Sequence, residues 1–201
     1  MNLASLAGLG QGKAAQGQSG EGAYVNLATG NLVLQDRDDR LMGPGASVEL
    51  VRTYNSQGQI QDDNADNWWI NGYRRIASLT GTANSAGSTV QRIDADGSTL
   101  TYTYDSNSGL YKPNAGSGKY DTLAYDGASG LWTWTEAATQ RTESYETSGS
   151  FWRLRSSSDT NGNSTTYSYA NGLLASVTDS TGETVEFTYD GNLLTQERVR
   201  Q

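Results

Sequence analysis

The sequence contains no cysteine and no histidine. Without cysteine, disulfides, thiol nucleophiles and zinc–thiolate sites are all excluded. Without histidine, the chain lacks the commonest general base and the commonest transition-metal ligand. These two absences predict a protein without enzymatic activity, with no catalytic residue and no bound cofactor.

The chain is also poor in basic residues and in long apolar runs. It holds 14 lysines and arginines against 22 aspartates and glutamates, which gives a formal net charge of −8. Such a chain offers no basic patch to a phosphate backbone, so nucleic acid is not an expected partner. No apolar stretch approaches the length that crosses a bilayer, and membrane insertion is not expected.

Proline is scarce, whereas turn-forming and strand-forming residues are abundant. Only 2 prolines are present, beside 24 glycines and 12 tyrosines. Aromatic and β-branched residues favour strands, and glycine supplies the tight turns between them. The composition therefore predicts an all-β fold of short strands without long helices.

A repeated spacing of aromatic residues runs through the second half of the chain. Gly97, Gly162 and Gly182 are each followed by an aromatic pair five and seven residues later. Equivalent positions after Gly118 and Gln140 complete five units, with a period of about 20 to 22 residues. Positions of equal parity share one face of a strand, so stacked units should build core-facing columns. The aromatic members of these columns are Tyr102, Tyr104, Tyr125, Tyr145, Tyr167, Tyr169, Phe187 and Tyr189.

A further core-facing column precedes the aromatic pair and mixes residue types. It consists of Leu100, Asp121, Glu143, Thr165 and Val185. The opposite face is rich in Thr, Ser and Glu, which predicts a sheet with one packed face and one wetter face. A single unit of this size buries too little apolar surface to fold alone, so the units should stack on one another.

Two kinds of turn alternate along the repeats. A turn rich in Asp, Asn and Gly follows most aromatic pairs, and a similar turn joins successive units. Glycine accepts positive φ, and Asp and Asn side chains bond to nearby backbone, so both kinds reverse the chain. Turns of the first kind lie at residues 105–109, 126–130 and 170–172, and turns of the second kind at residues 94–97, 159–162 and 179–182.

The pattern Gly-x4-Tyr-x-Tyr-Asp, with a turn and Gly-Leu after it, resembles the YD repeat of the RHS family of bacterial proteins. It stands at residues 97–110, and residues 179–194 match it with a turn shortened around Gly191. Residues 25–34 and 50–56 resemble the segment that opens many RHS arrays. The resemblance implies tandem strand-turn-strand repeats in a coiled β-sheet, as part of a larger shell or cocoon around a toxin or effector. It also implies a secreted or cell-surface location in bacteria.

Three regions are expected on this basis. Residues 1–22 do not match a secretory signal peptide, and their Gly, Ala, Gln and Ser content predicts a flexible lead. Residues 23–93 form the opening β region, and residues 94–201 hold about five YD-type repeats. The expected partner is the remainder of a parent RHS chain or an enclosed toxin or effector. The last strand, at residues 193–199, should leave an open edge through which the chain associates with itself.

One acidic segment has part of the spacing of a calcium loop. Asp62, Asn64 and Asp66 occupy the first, third and fifth positions of such a loop. The sixth position is Asn67 instead of glycine, and the twelfth is Tyr73 instead of glutamate. Because these replacements remove the sharp turn and the bidentate ligand, no metal site is predicted.

Five tryptophans are the side chains best suited to ligand binding, because exposed indoles stack on sugars and on apolar partner surfaces. Trp132 and Trp134 share strand parity, which favours packing with the aromatic columns. Arg74 and Arg75 stand close enough to Trp69 to cover an indole by cation–π contact. The main interpretation is a structural scaffold, and the alternative is a surface module that binds carbohydrate or another cell. The tryptophans are Trp68, Trp69, Trp132, Trp134 and Trp152.

Overall fold

The computed structural model describes residues 13–16, 22–26, 30–41, 48–56, 67–95, 97–114 and 118–200. Within these ranges the regular elements are β-strands, apart from one short 3-10 turn at Asn71–Tyr73. The strands form two sheets in which every pair of neighbours is antiparallel. The predicted all-β fold is confirmed. Across the described residues, no helix has the length and apolarity that a membrane span requires.

In the described part of the chain, the smaller sheet contains five strands in chain order, each paired with the next. They are β1 (Lys13–Gln16), β2 (Gly22–Asn26), β3 (Asn31–Leu41), β4 (Val48–Asn55) and β5 (Trp68–Ile70). The longest pairing joins β3 to β4, from Val33 opposite Asn55 to Leu41 opposite Val48. The described parts of both segments that resemble the opening of RHS arrays therefore lie in this sheet.

Over the described residues, the larger sheet contains twelve strands and includes the five repeat units. Its first eight strands are β6 (Arg75–Thr80), β7 (Thr89–Ile93), β8 (Thr99–Asp105), β9 (Leu110–Pro113), β10 (Thr122–Asp126), β11 (Leu131–Thr135), β12 (Thr142–Ser148) and β13 (Phe151–Ser158). Its last four are β14 (Ser164–Ala170), β15 (Leu173–Thr178), β16 (Thr184–Asp190) and β17 (Leu193–Arg200). The chain passes from one sheet to the other between Ile70 and Arg75. The expected boundary at residue 93 marks the start of the repeat motif. The chain changes sheet before that boundary.

Strand β13 is the point at which the larger sheet closes on itself. One edge of β13 pairs with β12 along its whole length. On the other edge, Trp152 and Arg153 pair with Ile76 and Arg75 of β6, whereas Ser156–Ser158 pair with β14. Strands β6–β13 thus close a ring of eight strands, here called the strand ring. Strands β14–β17, here called the extension, continue the same sheet beyond the ring, so the sheet coils as predicted.

The turns explain why an aspartate follows the tyrosine pair. After β10, the backbone N–H of Gly130 donates to the Asp126 carbonyl at 2.8 Å. The Asp126 carboxylate accepts from the backbone N–H of Ala128 at 2.9 Å and from the Ser129 hydroxyl at 2.6 Å. These bonds fix the reversal between β10 and β11, because the carboxylate satisfies donors that the turn leaves without a strand partner.

The interior of the strand ring is packed with large side chains. Tyr102, Tyr111, Trp132, Tyr145 and Leu154 are all fully buried there. The phenol rings of Tyr111 and Tyr125 each lie 4.9 Å from the Trp132 indole. Such a ring is filled by its own side chains and forms a solid core.

The extension has a separate core that includes the smaller sheet. Leu50 of β4 is buried against Leu174, Val177, Val185 and Phe187 of the extension. The 3-10 turn lies under the same strands, because a Cβ on Gly72 would lie only 2.7 Å from Leu174 Cδ2. The opening segment is therefore packed inside the curve of the later repeats.

Candidate functional site

A group of buried charged side chains lies inside the strand ring. Glu143 on β12 is fully buried and accepts hydrogen bonds from two guanidiniums. Arg74, which follows the 3-10 turn, donates through Nη1, and Arg92 on β7 donates through Nη2 at 2.7 Å. Three separate parts of the chain thus meet at one carboxylate. With Asp94 and Tyr145, these residues are here called the interior charge cluster.

The remaining members of the interior charge cluster satisfy its charges and hydrogen bonds. Arg92 forms an ion pair with Asp94 at 3.0 Å and donates through Nε to the Tyr145 hydroxyl at 3.1 Å. That hydroxyl donates in turn to Glu143. The Arg92 guanidinium lies 3.9 Å from the centre of the Trp134 indole. Two buried cations and two carboxylates therefore balance one another within an aromatic surround, as buried charges require. Arg141, at the margin of the cluster, adds a further ion pair to Glu143 at 3.4 Å.

The pKa directions show how the interior charge cluster is ionised. Burial alone would raise the pKa of Glu143, but the charges of Arg74 and Arg92 outweigh burial and hold that pKa well below its usual value. Burial raises the pKa of Tyr145 well above its usual value. Glu143 is therefore a carboxylate and Tyr145 a neutral phenol across the physiological range. Neither group exchanges a proton near neutral pH, as a general acid or base would. The arrangement is suited to holding strands together.

The repeat pattern indicated that Glu143 is buried, but it did not indicate which cations contact it. Glu143 stands in the mixed column between Asp121 and Thr165, where parity points it towards the core, and a core-facing glutamate requires a buried cation. The arginines come from outside the repeats that define the columns. Arg74 was expected to cover an indole, yet it contacts Glu143. Arg75 does lie over an indole, 5.5 Å from the centre of Trp69.

Three tryptophans pack in the core of the strand ring, and the other two lie on β5 of the smaller sheet. Trp69, Trp132 and Trp134 are buried, whereas Trp68 and Trp152 are half-buried. Trp134 donates through Nε1 to the Tyr102 hydroxyl at 3.0 Å, and Trp152 donates to the Gly130 carbonyl at 3.2 Å. Buried indoles present no face to a sugar, so Trp69, Trp132 and Trp134 supply no stacking platform.

The aromatic columns differ in depth. Tyr102, Tyr145 and Phe187 of one column are buried, whereas Tyr167 of the same column is half-buried. The remaining five aromatic members are half-buried at the margin of the packed face, namely Tyr104, Tyr125, Tyr167, Tyr169 and Tyr189.

The second tyrosine of a pair ties one repeat to the repeat before it. Tyr169 donates to the carbonyl of Leu154 at 2.8 Å, and Tyr189 donates to the carbonyl of Leu174 at 2.9 Å. Both bonds reach back 15 residues. The second tyrosine of a pair therefore links neighbouring repeats through a hydrogen bond. The spacing of the residues did not predict this role.

The weak calcium candidates cannot be placed. Asp62, Asn64 and Asp66 lie outside the described residues. Within the described part of the chain, no three His, Cys, Asp or Glu side chains come together in a way that could hold a metal ion.

Two family models match the chain. The model described as Domain of unknown function (DUF6531), a domain of the N-terminal region of RHS/YD proteins, matches residues 22–102. The model described as RHS Repeat matches residues 170–200. No curated protein matches the sequence significantly. The first matched region spans β2–β5 of the smaller sheet and the start of the strand ring, and the second spans the last repeats of the extension. The chain therefore belongs to the RHS/YD-repeat proteins and is a structural repeat scaffold.

Proposed function

We propose that this chain forms the opening part of an RHS shell that encloses or presents a toxin or another effector, at the surface of a bacterium or outside it. The observation that carries the proposal is the branching of β13, which pairs with β12, β6 and β14. A sheet that meets its own first strand and then continues is a coil, and further repeats would add further turns to it.

The packing of the strand ring limits where a cargo could lie. Its interior holds aromatic side chains and the interior charge cluster, and these fill the space that a cargo would need. The extension curves around the 3-10 turn and Leu50 of the smaller sheet. The chain would therefore act as a solid end of the shell, and the cargo would be held by later repeats of the parent protein.

The expected regions acquire distinct roles in this proposal. Residues 23–93 supply most of the smaller sheet and the first two strands of the strand ring, and residues 94–201 supply the repeats that complete the ring and continue it. Residues 1–22 would act as a lead that adds β1 to the edge of the smaller sheet by pairing with β2. The chain itself would contribute walls and no chemistry, which agrees with the absence of histidine and cysteine from the sequence.

The proposal is tested on the parent protein with its cargo region present. A density map should show residues 75–158 as a filled ring, with later repeats coiling away from it around the cargo. Leu174→Asp should make the cargo susceptible to protease, because it places a charge in the buried contact between extension and smaller sheet. Thr188→Asp is the matched control, since Thr188 is exposed on the same sheet. A cargo equally protected in both variants would contradict the enclosure.

A further inference from the structure

A cleft lies where β13 and β14 separate. The two strands pair only through residues 156–158 and 164–166, and beyond this point β13 pairs with β6. Over residues 167–170, β14 therefore pairs with β15 on one side and, within the described part of the chain, with no strand on the other. The separation leaves a cavity of about 610 Å³, here called the divergence cleft.

The open side of β14 presents main-chain groups to the divergence cleft. In a strand, successive backbone N–H and C=O groups point to alternate sides, so residues 167–170 direct about half of theirs towards the side without a partner strand. Ser168 and Ala170 are exposed, so another chain can reach this edge. An extended peptide can satisfy such groups by adding a strand, and four residues of strand offer it a length of about 13 Å.

A β-bulge in β13 directs an arginine into the divergence cleft. Ser156 lies opposite Ser144 and Leu154 lies opposite Tyr145, so Arg155 is the extra residue between them. Bulges re-aim the side chain that they carry. Arg155 is exposed and lines the cleft.

The Arg155 charge is available to a partner. Among the described residues, no carboxylate forms an ion pair with Arg155. The neighbouring Arg153, in contrast, donates through Nε and Nη2 to the Glu146 carboxylate at 2.9 and 2.8 Å. Because Glu146 balances Arg153, Arg155 gives the cleft a net charge of about +1, against −8 for the whole chain.

The same bulge recurs one repeat later without a charge. Ser176 lies opposite Ser168 and Leu174 lies opposite Tyr169, so Ala175 is the extra residue of β15. Strands β15 and β16 also pair over only three residues. The backbone arrangement is therefore repeated without the arginine, which means that the bulge itself does not require Arg155.

We infer that the divergence cleft binds an extended acidic peptide segment of another protein, which adds to the open side of β14 and places a carboxylate on Arg155. A guanidinium and a carboxylate form two parallel hydrogen bonds, while main-chain pairing along residues 167–170 fixes the direction of the peptide. Most of the surface of this acidic chain repels such a segment, so the position of Arg155 selects where it binds. This site does not depend on the enclosure of a cargo.

The test follows backbone amide signals of the 201-residue chain by NMR during titration with the synthetic peptide acetyl-Thr-Val-Asp-Val-Thr-amide. Signals of Arg155 and Ser168 should shift and saturate. A peptide with asparagine in place of its aspartate should bind about tenfold more weakly, because it lacks the charge. A peptide methylated at every backbone nitrogen should also bind at least about tenfold more weakly, because it cannot donate to a strand.

Variants of the chain separate the local charge from the charge of the whole protein. Arg155→Ala introduces the residue that the next repeat carries at its own bulge, and it should weaken binding of the aspartate peptide by about tenfold. Arg198→Ala changes an exposed arginine on β17 outside the cleft and should leave binding unchanged. The comparison of peptides uses the native chain, so it tests the inference even if a variant does not fold.

Three results would overturn the inference. The first is the absence of a saturable shift with the aspartate peptide up to about 20 mM, well above a millimolar dissociation constant. The second is equal binding of the methylated and unmethylated peptides, which would reduce the cleft to an anion contact without strand addition. The third is an equal loss of affinity in Arg155→Ala and Arg198→Ala, which would place the effect in the charge of the whole chain.

Discussion

The strand ring and the extension use the same repeat position in opposite ways. In the ring, the mixed column places Glu143 in the core, opposite two arginines. In the extension, the same column places Val185 in the core, beside Leu50 of the smaller sheet. Both residues are fully buried. The repeat therefore specifies that the position is buried, whereas the segment facing it decides whether a charge or a hydrocarbon is stable there.

The largest expected effect is the loss of the charge at the centre of the strand ring. Glu143→Gln leaves two buried guanidiniums without their shared carboxylate, which should lower the free energy of unfolding by about 3 to 5 kcal/mol. Glu146→Gln on the same strand removes a carboxylate that is 33% exposed, and its cost should stay below about 1 kcal/mol. Urea denaturation of both variants measures the difference. Equal losses would mean that the ring does not depend on the buried charge.

Acid should weaken the strand ring through the same residue. The pKa of Glu143 is lowered in the folded protein, so its contribution is fully present above its ordinary pKa of 4.5 and is lost as the pH falls below that value. Thermal melting between pH 7 and pH 3 should show this decline. The melting temperature of Glu143→Gln should depend less on pH than that of the native chain, because glutamine binds no proton at this position. Parallel profiles for the two proteins would contradict the assignment.

The next effect concerns the columns of the extension. Tyr167→Ala removes an aromatic ring whose hydroxyl accepts from Arg74 at 3.4 Å, and the loss should approach about 3 kcal/mol. Thr166→Ala shortens a neighbouring side chain on the exposed face, and its cost should be about 0.5 kcal/mol or less. Chemical denaturation compares the two variants. Equal and small losses would show that the packed face has been assigned to the wrong residues.

The smallest effect lies in a single turn. Asn171 and Gly172 both have positive φ, of 52° and 86°, in the hairpin between β14 and β15. Gly172→Ala should destabilise by about 1 to 2 kcal/mol, because a Cβ disfavours this conformation. Gly127 also lies in a hairpin turn, but without positive φ, and Gly127→Ala has room for its Cβ. The control should melt like the native chain, and a matching loss in both variants would refute the conformational explanation.

The sequence predicted the repeating part of this fold more fully than its closure. Strand parity and turn residues act over short distances, so the hairpins around residues 126–130 and the buried Tyr102 followed from local pattern. The pairing of Trp152 with Ile76 joins strands more than seventy residues apart. Nothing in local spacing specifies the curvature that brings such strands together, because curvature accumulates from the twist of every strand between them.

The polar sites, too, could be predicted only where they depend on the repeat pattern. Parity placed Glu143 in the core, and its need for a cation could be foreseen, but Arg74 and Arg92 come from segments outside the repeat columns. The cavity that Arg155 and Ser168 line had no signal in the sequence, since the two residues come together only where β13 changes partner. Repeat spacing therefore cannot predict a site that forms only where the sheet closes.

The open edge at β17 gives the most direct test of the coil. Among the described residues β17 pairs with β16 alone, and Leu193 and Val199 are 55% and 38% exposed. Residue-level hydrogen exchange on the monomeric chain should find β6–β13 most protected, as one cooperative unit, and the outward amides of β17 least protected. Addition of downstream repeats should then protect β17. If β17 is already as protected as Phe187 and Tyr189 in the monomer, or if β6 and β13 exchange rapidly, the coil described here is wrong.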